Sequence, residues 1–355
     1  MSNDSHNHFT VVVTSDRYGA DSAGLDRERR LLDQFPEVTV EVRGEPSSSE
    51  DELIEIGHRA DAILVSTREA ITRRVCENIP RVKVISRYGV GLDNVDLEAA
   101  TDNGIVVTHY PQYCTSEVAD HAMSLLLALN RRIVELDHDL REGAWEQRGA
   151  ATTQILRGPV PALRTLTLGI VGFGRIGQAV AKRAAPFGPR LLVSDPYVAD
   201  DVVTDAGVES VTMDTLLDEA DLVTLHCPLT PQTRGIIGAA SLSRMKPDAA
   251  IVNTARGPLI DLEALTTVLI ERPTFRAALD VVDPEPLPAD SPLCSLPNVI
   301  LTPHSAYYSI QSVETVRNET FLAAIAVLRG LLPPTVANPL VLKRVSLAPD
   351  LLRTT

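Results

Sequence analysis

Basic residues are scarce in this 355-residue chain: 33 Lys and Arg face 47 Asp and Glu, a formal net charge of −14, and no Lys/Arg run offsets it locally. A surface with that balance repels polyanions, so neither nucleic acid nor an anionic membrane is expected as a partner. Cysteine is sparse as well. Cys76, Cys114, Cys227 and Cys294 are scattered without CxxC spacing, so no metal site or disulfide framework is expected. The opening MSNDSHNHFTVVV is polar where a secretory leader would be basic and then apolar, which with the cysteine usage points to the cytoplasm. Long hydrophobic runs are also missing. FLAAIAVLRGLL, from Phe321 to Leu332, meets charge well before it could cross a bilayer, and no membrane contact is expected.

What is present is ample for a core. Apolar residues make up 44% of the chain, and the length suits two domains. Short apolar runs recur: FTVVVT (Phe9 to Thr14), VTVEV (Val38 to Val42), DAILVST (Asp61 to Thr67), VKVIS (Val82 to Ser86) and IVVT (Ile105 to Thr108). Each is too continuously apolar for a sheet with one wet face, and each alternates with a helix-compatible segment, the pattern of a parallel sheet covered by helices. After the amphipathic stretch TSEVADHAMSLLLALNRR a second series follows: TLGIVGFG, RLLVSD, DLVTLHC, AAIVNT, FRAALDVVD and NVILTPH. The fold class is therefore α/β with two doubly wound parallel-sheet units. The helix expected from Ser309 to Arg329 comes too late for the second unit and is read as crossing back. That predicts a discontinuous domain of residues 1–111 and 310–355 around a domain of 112–309.

The second series opens with TLTLGIVGFGRIGQAVAKR, in which Gly172, Gly174 and Gly177 have G-x-G-x-x-G spacing, with Arg175 and Ile176 between the last two. The motif follows a strand and opens a helix. There the first glycine makes a tight turn, the second lets backbone approach a pyrophosphate, and the third allows close helix-to-strand packing. The next strand ends in Asp195, whose carboxylate would accept hydrogen bonds from adenosine ribose hydroxyls and repel a 2′-phosphate, so NAD is the expected cofactor.

Later strand ends carry reactive groups. AAIVNTARGPLID places Arg256 after one strand, FRAALDVVDPEPLP places Asp280 and Glu285 after another, and NVILTPH places His304 after a third. In an open α/β sheet the ligand crevice lies outside the carboxyl ends of the strands, so such groups converge. A guanidinium can hold the carboxylate and carbonyl of a 2-keto acid, an imidazolium can protonate the carbonyl oxygen as hydride arrives, and a carboxylate can orient that imidazole. Singly, a strand-end Arg or Glu is a surface ion pair and a strand-end His a cap. Together beside a dinucleotide motif they read as a reductase.

In order, GFGRIG, SDPY, LHCPLT, NTARG, ALDVVDPEP and LTPHSA resemble the D-isomer-specific 2-hydroxyacid dehydrogenase family from about Phe9 to about Asn338. The resemblance implies a Rossmann coenzyme domain inserted in a flavodoxin-like substrate domain. It implies that Arg256 binds substrate, Glu285 supports the histidine and His304 is the acid/base. It further implies that backbone N–H groups of Gly89, Val90 and Gly91 grip the substrate carboxylate. Asp280 would bond the nicotinamide amide, Cys227, Pro228, Thr233, Thr254 and Ala255 would line the coenzyme, and Val118 would pack on the nicotinamide. RYGVGLDNVD, NTARG and HSAYYS look closest to the branch of the C-terminal-binding co-repressors, which typically carry Trp where Tyr307 stands. Arg87 and Tyr307 are expected in the pocket beyond the reacting carbon. A homodimer built through the coenzyme domain is also implied, by way of Glu117 to Asp139 and the residues after it, with a small 2-keto or 2-hydroxy acid as partner. The rival readings are a non-catalytic NAD(H)-responsive protein of co-repressor type and a phosphoglycerate dehydrogenase-like enzyme without a regulatory domain. Formate dehydrogenase, which shares the fold, typically has Gln where Glu285 stands.

Overall fold

The computed structural model describes residues 8–18, 23–47, 49–148 and 160–350. The chain forms two compact units, one of the residues up to Tyr113 together with those from Ser309 onward, the other of Cys114–Tyr308.

The first unit holds a five-stranded parallel sheet built from β1 (His8–Val13), β2 (Thr39–Gly44), β3 (Ala62–Val65), β4 (Val84–Arg87) and β5 (Val106–His109), in the order β2-β1-β3-β4-β5. This is the flavodoxin-like doubly wound order. Its strands read as unbroken apolar runs because alternate side chains enter different cores. Val11, Val13, Leu64, Val84 and Val106 face one cluster, while Val12, Ile63, Val65, Ile85 and Val107 face the other. The helix Ile310–Leu328 covers the first face with Val316, Phe321, Ala324, Ile325 and Leu328. Ser309 starts it, its hydroxyl accepting from Ser312 N at 2.8 Å while the Ser312 hydroxyl accepts from Ser309 N at 2.8 Å, a reciprocal cap. Truncating Phe321, fully buried here, to alanine would cost about 3–5 kcal/mol.

The second unit holds seven parallel strands: β6 (Thr167–Val171), β7 (Arg190–Ser194), β8 (Glu209–Ser210), β9 (Leu222–Leu225), β10 (Ala250–Asn253), β11 (Arg276–Leu279) and β12 (Val299–Leu301). Their order, β12-β11-β10-β9-β6-β7-β8, is the dinucleotide-binding arrangement with one further strand. Both faces are again covered: Ile251, Ala277 and Leu279 enter one core, and Ala250, Val252 and Ala278 the other, beneath the helices Thr115–Arg131 and Arg175–Ala184. The sequence pattern misses β8, whose two residues are exposed at the sheet edge and carry no apolar signal. The strand order reverses between β6 and β9, which opens the crevice at the carboxyl ends. Among the described residues no helix is long and apolar enough to cross a membrane.

Candidate active site

The turn after β6 assigns a separate task to each glycine. Gly172 has φ of +91°, and a Cβ there would stand 2.5 Å from Cys227 N, so the turn fits only without a side chain. A Cβ on Gly177 would overlap Gly172 O, which lets the helix close on the strand. Gly174 differs: a Cβ there would meet nothing within 4 Å. Its backbone borders open space at the N-terminus of Arg175–Ala184, where no side chain caps the free N–H groups. That cradle fits a pyrophosphate. Arg175 is exposed at the first helical position and Ile176 is half-buried behind it. Asp195 lies against the same turn, Oδ2 accepting from Phe173 N at 2.7 Å and Oδ1 from Tyr197 N at 2.9 Å. The residues present therefore suit a dinucleotide.

Other expected coenzyme contacts divide. The Cys227 side chain belongs to the hydrophobic core, so only its backbone can face a ligand. Thr233 is locked in its loop, its hydroxyl donating to Pro228 O at 2.6 Å and accepting from Thr230 N at 2.8 Å. Thr254 Oγ1 is buried without a partner, while Ala255 N donates to Asn253 Oδ1 at 3.0 Å. Val118 is buried on the helix Thr115–Arg131. His226, just before Cys227, is held neutral, burial pushing its pKa down to about 3, and its Nε2 meets Thr224 Oγ1 at 2.9 Å.

Arg256, Glu285 and His304 follow the neighbouring strands β10, β11 and β12. Asn253, at the end of β10, shapes the first loop by donating from Nδ2 to Arg256 O at 2.8 Å. Gly257 then brings that loop against the next one, since a Cβ there would overlap Val282 O. The His304 ring reaches Glu285, Nδ1 to Oε1 at 2.7 Å, with 19% and 36% of the two side chains exposed. A carboxylate can only accept, so Nδ1 carries the hydrogen and Nε2 is the nitrogen left for a ligand. The Tyr307 ring stands edge-on to the imidazole, centroids 6.3 Å apart.

His304 has φ of +52°, a left-handed conformation that a non-glycine residue adopts at a cost. Asp280 holds it there. Its backbone oxygen accepts from His304 N at 2.8 Å, its Oδ1 from Ser305 N at 2.9 Å and Thr302 Oγ1 at 2.6 Å, and its Oδ2 from Ala306 N at 3.0 Å. Asp280, expected on the nicotinamide amide, meets these donors of the histidine loop as well. Two contributors were not singled out in the sequence. Thr302 bonds Asp280, and His121 on the helix Thr115–Arg131 places Nε2 3.1 Å from Thr302 Oγ1. Thr302 stands in the LTPH motif; His121 gives no signal beyond a polar residue in an amphipathic helix.

In the first unit, Arg87 ends β4 with its side chain buried, Nη1 donating to Tyr88 O at 2.7 Å. Gly89 follows with φ of +122°, and a Cβ there would overlap the Arg87 guanidinium. Val90 O, in the same turn as Gly91, accepts from His109 Nδ1 at 2.9 Å.

Residues 123–306 match the family model of the D-isomer specific 2-hydroxyacid dehydrogenase NAD binding domain. The chain is 40% identical over 314 residues to a glyoxylate reductase of Thermofilum pendens, covering 88% of this chain and 91% of that protein. It is 40% identical over 310 residues to the D-3-phosphoglycerate dehydrogenase of Methanocaldococcus jannaschii, of which it spans only 57%. Among solved structures, a D-lactate dehydrogenase from Aquifex aeolicus complexed with NAD and lactic acid superposes with a TM-score of 0.76 at 28% identity, over 95% of this chain and 98% of that one.

Proposed function

Because this chain belongs to the D-isomer-specific 2-hydroxyacid dehydrogenases and is an NAD-dependent oxidoreductase acting on 2-hydroxy acids, we propose that it reduces a small 2-keto acid of the glyoxylate kind, with His304 as the proton donor. NADH, when bound, supplies the hydride. Gly172, Gly174, Arg175, Ile176 and Gly177 would hold its pyrophosphate and Asp195 its ribose, with Cys227, Pro228, Thr233, Thr254, Ala255 and Val118 around the rest. Arg256 holds the substrate carboxylate and carbonyl oxygen in its planar fork, which fixes the geometry before chemistry. His304 gives the carbonyl oxygen a proton from Nε2, and Glu285 on Nδ1 orients the ring. The Gly89, Val90 and Gly91 amides are assigned to the substrate carboxylate, and Arg87 and Tyr307 to its side chain.

The observation that carries this reading is the 2.7 Å pair of His304 Nδ1 and Glu285 Oε1 at strand ends next to Arg256. Two relatives named glyoxylate reductase, each about nine-tenths covered by this chain, support the substrate class. The proposal includes a cytoplasmic homodimer formed through the coenzyme unit. Part of the segment expected to carry that contact, residues 149–159, lies outside the described residues. The test is a panel of glyoxylate, hydroxypyruvate, pyruvate and phenylpyruvate with NADH and NADPH side by side. Turnover of glyoxylate with NADH is expected; no NADH consumption with any keto acid would overturn the proposal in favour of a non-catalytic role.

A further inference from the structure

The turn after β4 presents three successive main-chain donors. The N–H groups of Gly89, Val90 and Gly91 meet no acceptor among the described residues. Unmet donors in a row form a concave site suited to an anion. How well they serve depends on how firmly each peptide plane is held. Both sides of the turn are tied to the sheet: before it, Tyr88 N donates to Val65 O at 2.9 Å, and after it, Asn94 Nδ2 donates to Ser66 O at 2.9 Å and to Glu69 O at 2.7 Å. Between these ties, Val90 O is held by a side chain, the Nδ1 of His109 at 2.9 Å. A carbonyl oxygen can only accept, so Nδ1 carries the hydrogen.

His109 reaches that oxygen because β4 and β5 end side by side, with Arg87 beside His109 in register, and the turn leaving β4 folds over the end of β5. The main chain of His109 is fixed as well, its oxygen accepting from the Thr335 hydroxyl. The peptide joining Val90 to Gly91 is trans, so its C=O and N–H point in opposite directions. Fixing Val90 O on the imidazole therefore aims the Gly91 N–H away from His109. We propose that His109 is a positioning residue for substrate: its Nδ1–H holds this peptide so that the Gly91 amide points at the carboxylate of a 2-keto acid. His109 has this role only if the turn grips that carboxylate, as the keto-acid reductase reading requires. The carboxylate keeps its charge while the neighbouring carbonyl is reduced, so its contacts act alike in the ground and transition states. They set KM and leave kcat alone.

The test measures glyoxylate reduction by NADH with the full chain and its His109 variants. Beside it, oxamate, an unreactive amide analogue of glyoxylate with the same carboxylate, is titrated into the NADH complex by fluorescence. His109→Leu should raise the KM for glyoxylate and weaken oxamate about fivefold, the size of one neutral hydrogen bond, with kcat and the KM for NADH unchanged. His109→Asn puts an amide N–H where Nδ1 stands and should bring both values to within about twofold of the parent. His109→Gln carries its amide one bond farther out and should resemble His109→Leu. A merely structural role would lower Tm without that split between KM and kcat and without that rescue. If His109→Leu fails to fold, the other two variants decide the matter, and equal KM in the Asn and Gln variants overturns the proposal. An unchanged KM in His109→Leu, or a loss that falls on kcat, overturns it too. In each of these outcomes the parent is active and the reductase reading stands; a parent that turns over no keto acid removes both.

Discussion

Strand β11 ends in one buried charge and begins with another, and the protein treats the two differently. Past its carboxyl end, Asp280 is 2% exposed, yet each carboxylate oxygen meets a donor from the loop that carries His304. At its amino end, Arg276 is nearly as buried, and its guanidinium donates to the main-chain oxygens of Thr274 and Asp248. A buried charge whose partners are built into the fold fixes geometry. The carboxyl end therefore reads as positioning machinery for chemistry, and substitutions there should act on turnover more than on folding.

The largest expected effect is at the imidazole. His304→Asn should lower kcat by about 10²- to 10⁴-fold, as loss of a general acid does, while NADH affinity measured by fluorescence titration stays unchanged. Turnover within tenfold of the parent would end the proton-donor role. Next comes the anchor. Asp280→Asn keeps one acceptor but turns an amide N–H₂ either toward the Ser305 and Thr302 donors or toward the Ala306 donor, so the loop loses part of its grip on the left-handed His304. A fall in kcat of roughly 10- to 100-fold is expected, with a stability loss of about 1–3 kcal/mol by denaturant titration. A fall in stability alone would make the two ends of β11 alike and break the comparison. The glycine turn gives a smaller effect of a different kind. Gly174→Ala should raise the KM for NADH about tenfold by filling the cradle and leave Tm unchanged, because the added methyl meets only open space. Gly172→Ala should instead lower Tm, because its Cβ would strike the Cys227 backbone.

How far these features can be read in advance depends on whether they are local. The strands are legible because both sheet faces are buried, which turns each into an unbroken run such as TVVV or AAIV. The three glycines are legible because their spacing and the strand and helix around them lie in one short stretch, although the backbone that Gly172 must clear is that of Cys227. Arg256, Glu285 and His304 are legible because each follows a recognisable strand and parallel topology brings strand ends together. The partners of Asp280 are not, since its bonds run to residues 22 to 26 positions away. The neighbourhood of Arg276 and Arg132 joins residues 144 positions apart by number and leaves no mark on any local pattern. β8 escapes because two exposed edge residues have no periodicity to show.

The smallest effect sharpens the comparison most, because it tests whether the clamp at the carboxyl end extends beyond the loop itself. The Thr302 hydroxyl has one hydrogen, and it donates that hydrogen to Asp280 Oδ1 at 2.6 Å. Thr302 Oγ1 must then accept from His121, so His121 Nε2 carries hydrogen and the helix Thr115–Arg131 fixes the direction of the chain His121 to Thr302 to Asp280. In His121→Phe the Thr302 hydroxyl loses its donor and can turn away from the carboxylate. One neutral hydrogen bond of this kind is worth about 0.5–1.5 kcal/mol, or roughly 2- to 12-fold in rate if it acts only on the positioned His304. A fall of that size in kcat is expected with the KM for NADH and for keto acid unchanged. His121→Gln, whose amide can still donate, should recover most of it. A change in Tm without a change in kcat would confine His121 to packing, and the positioning network would end at Thr302.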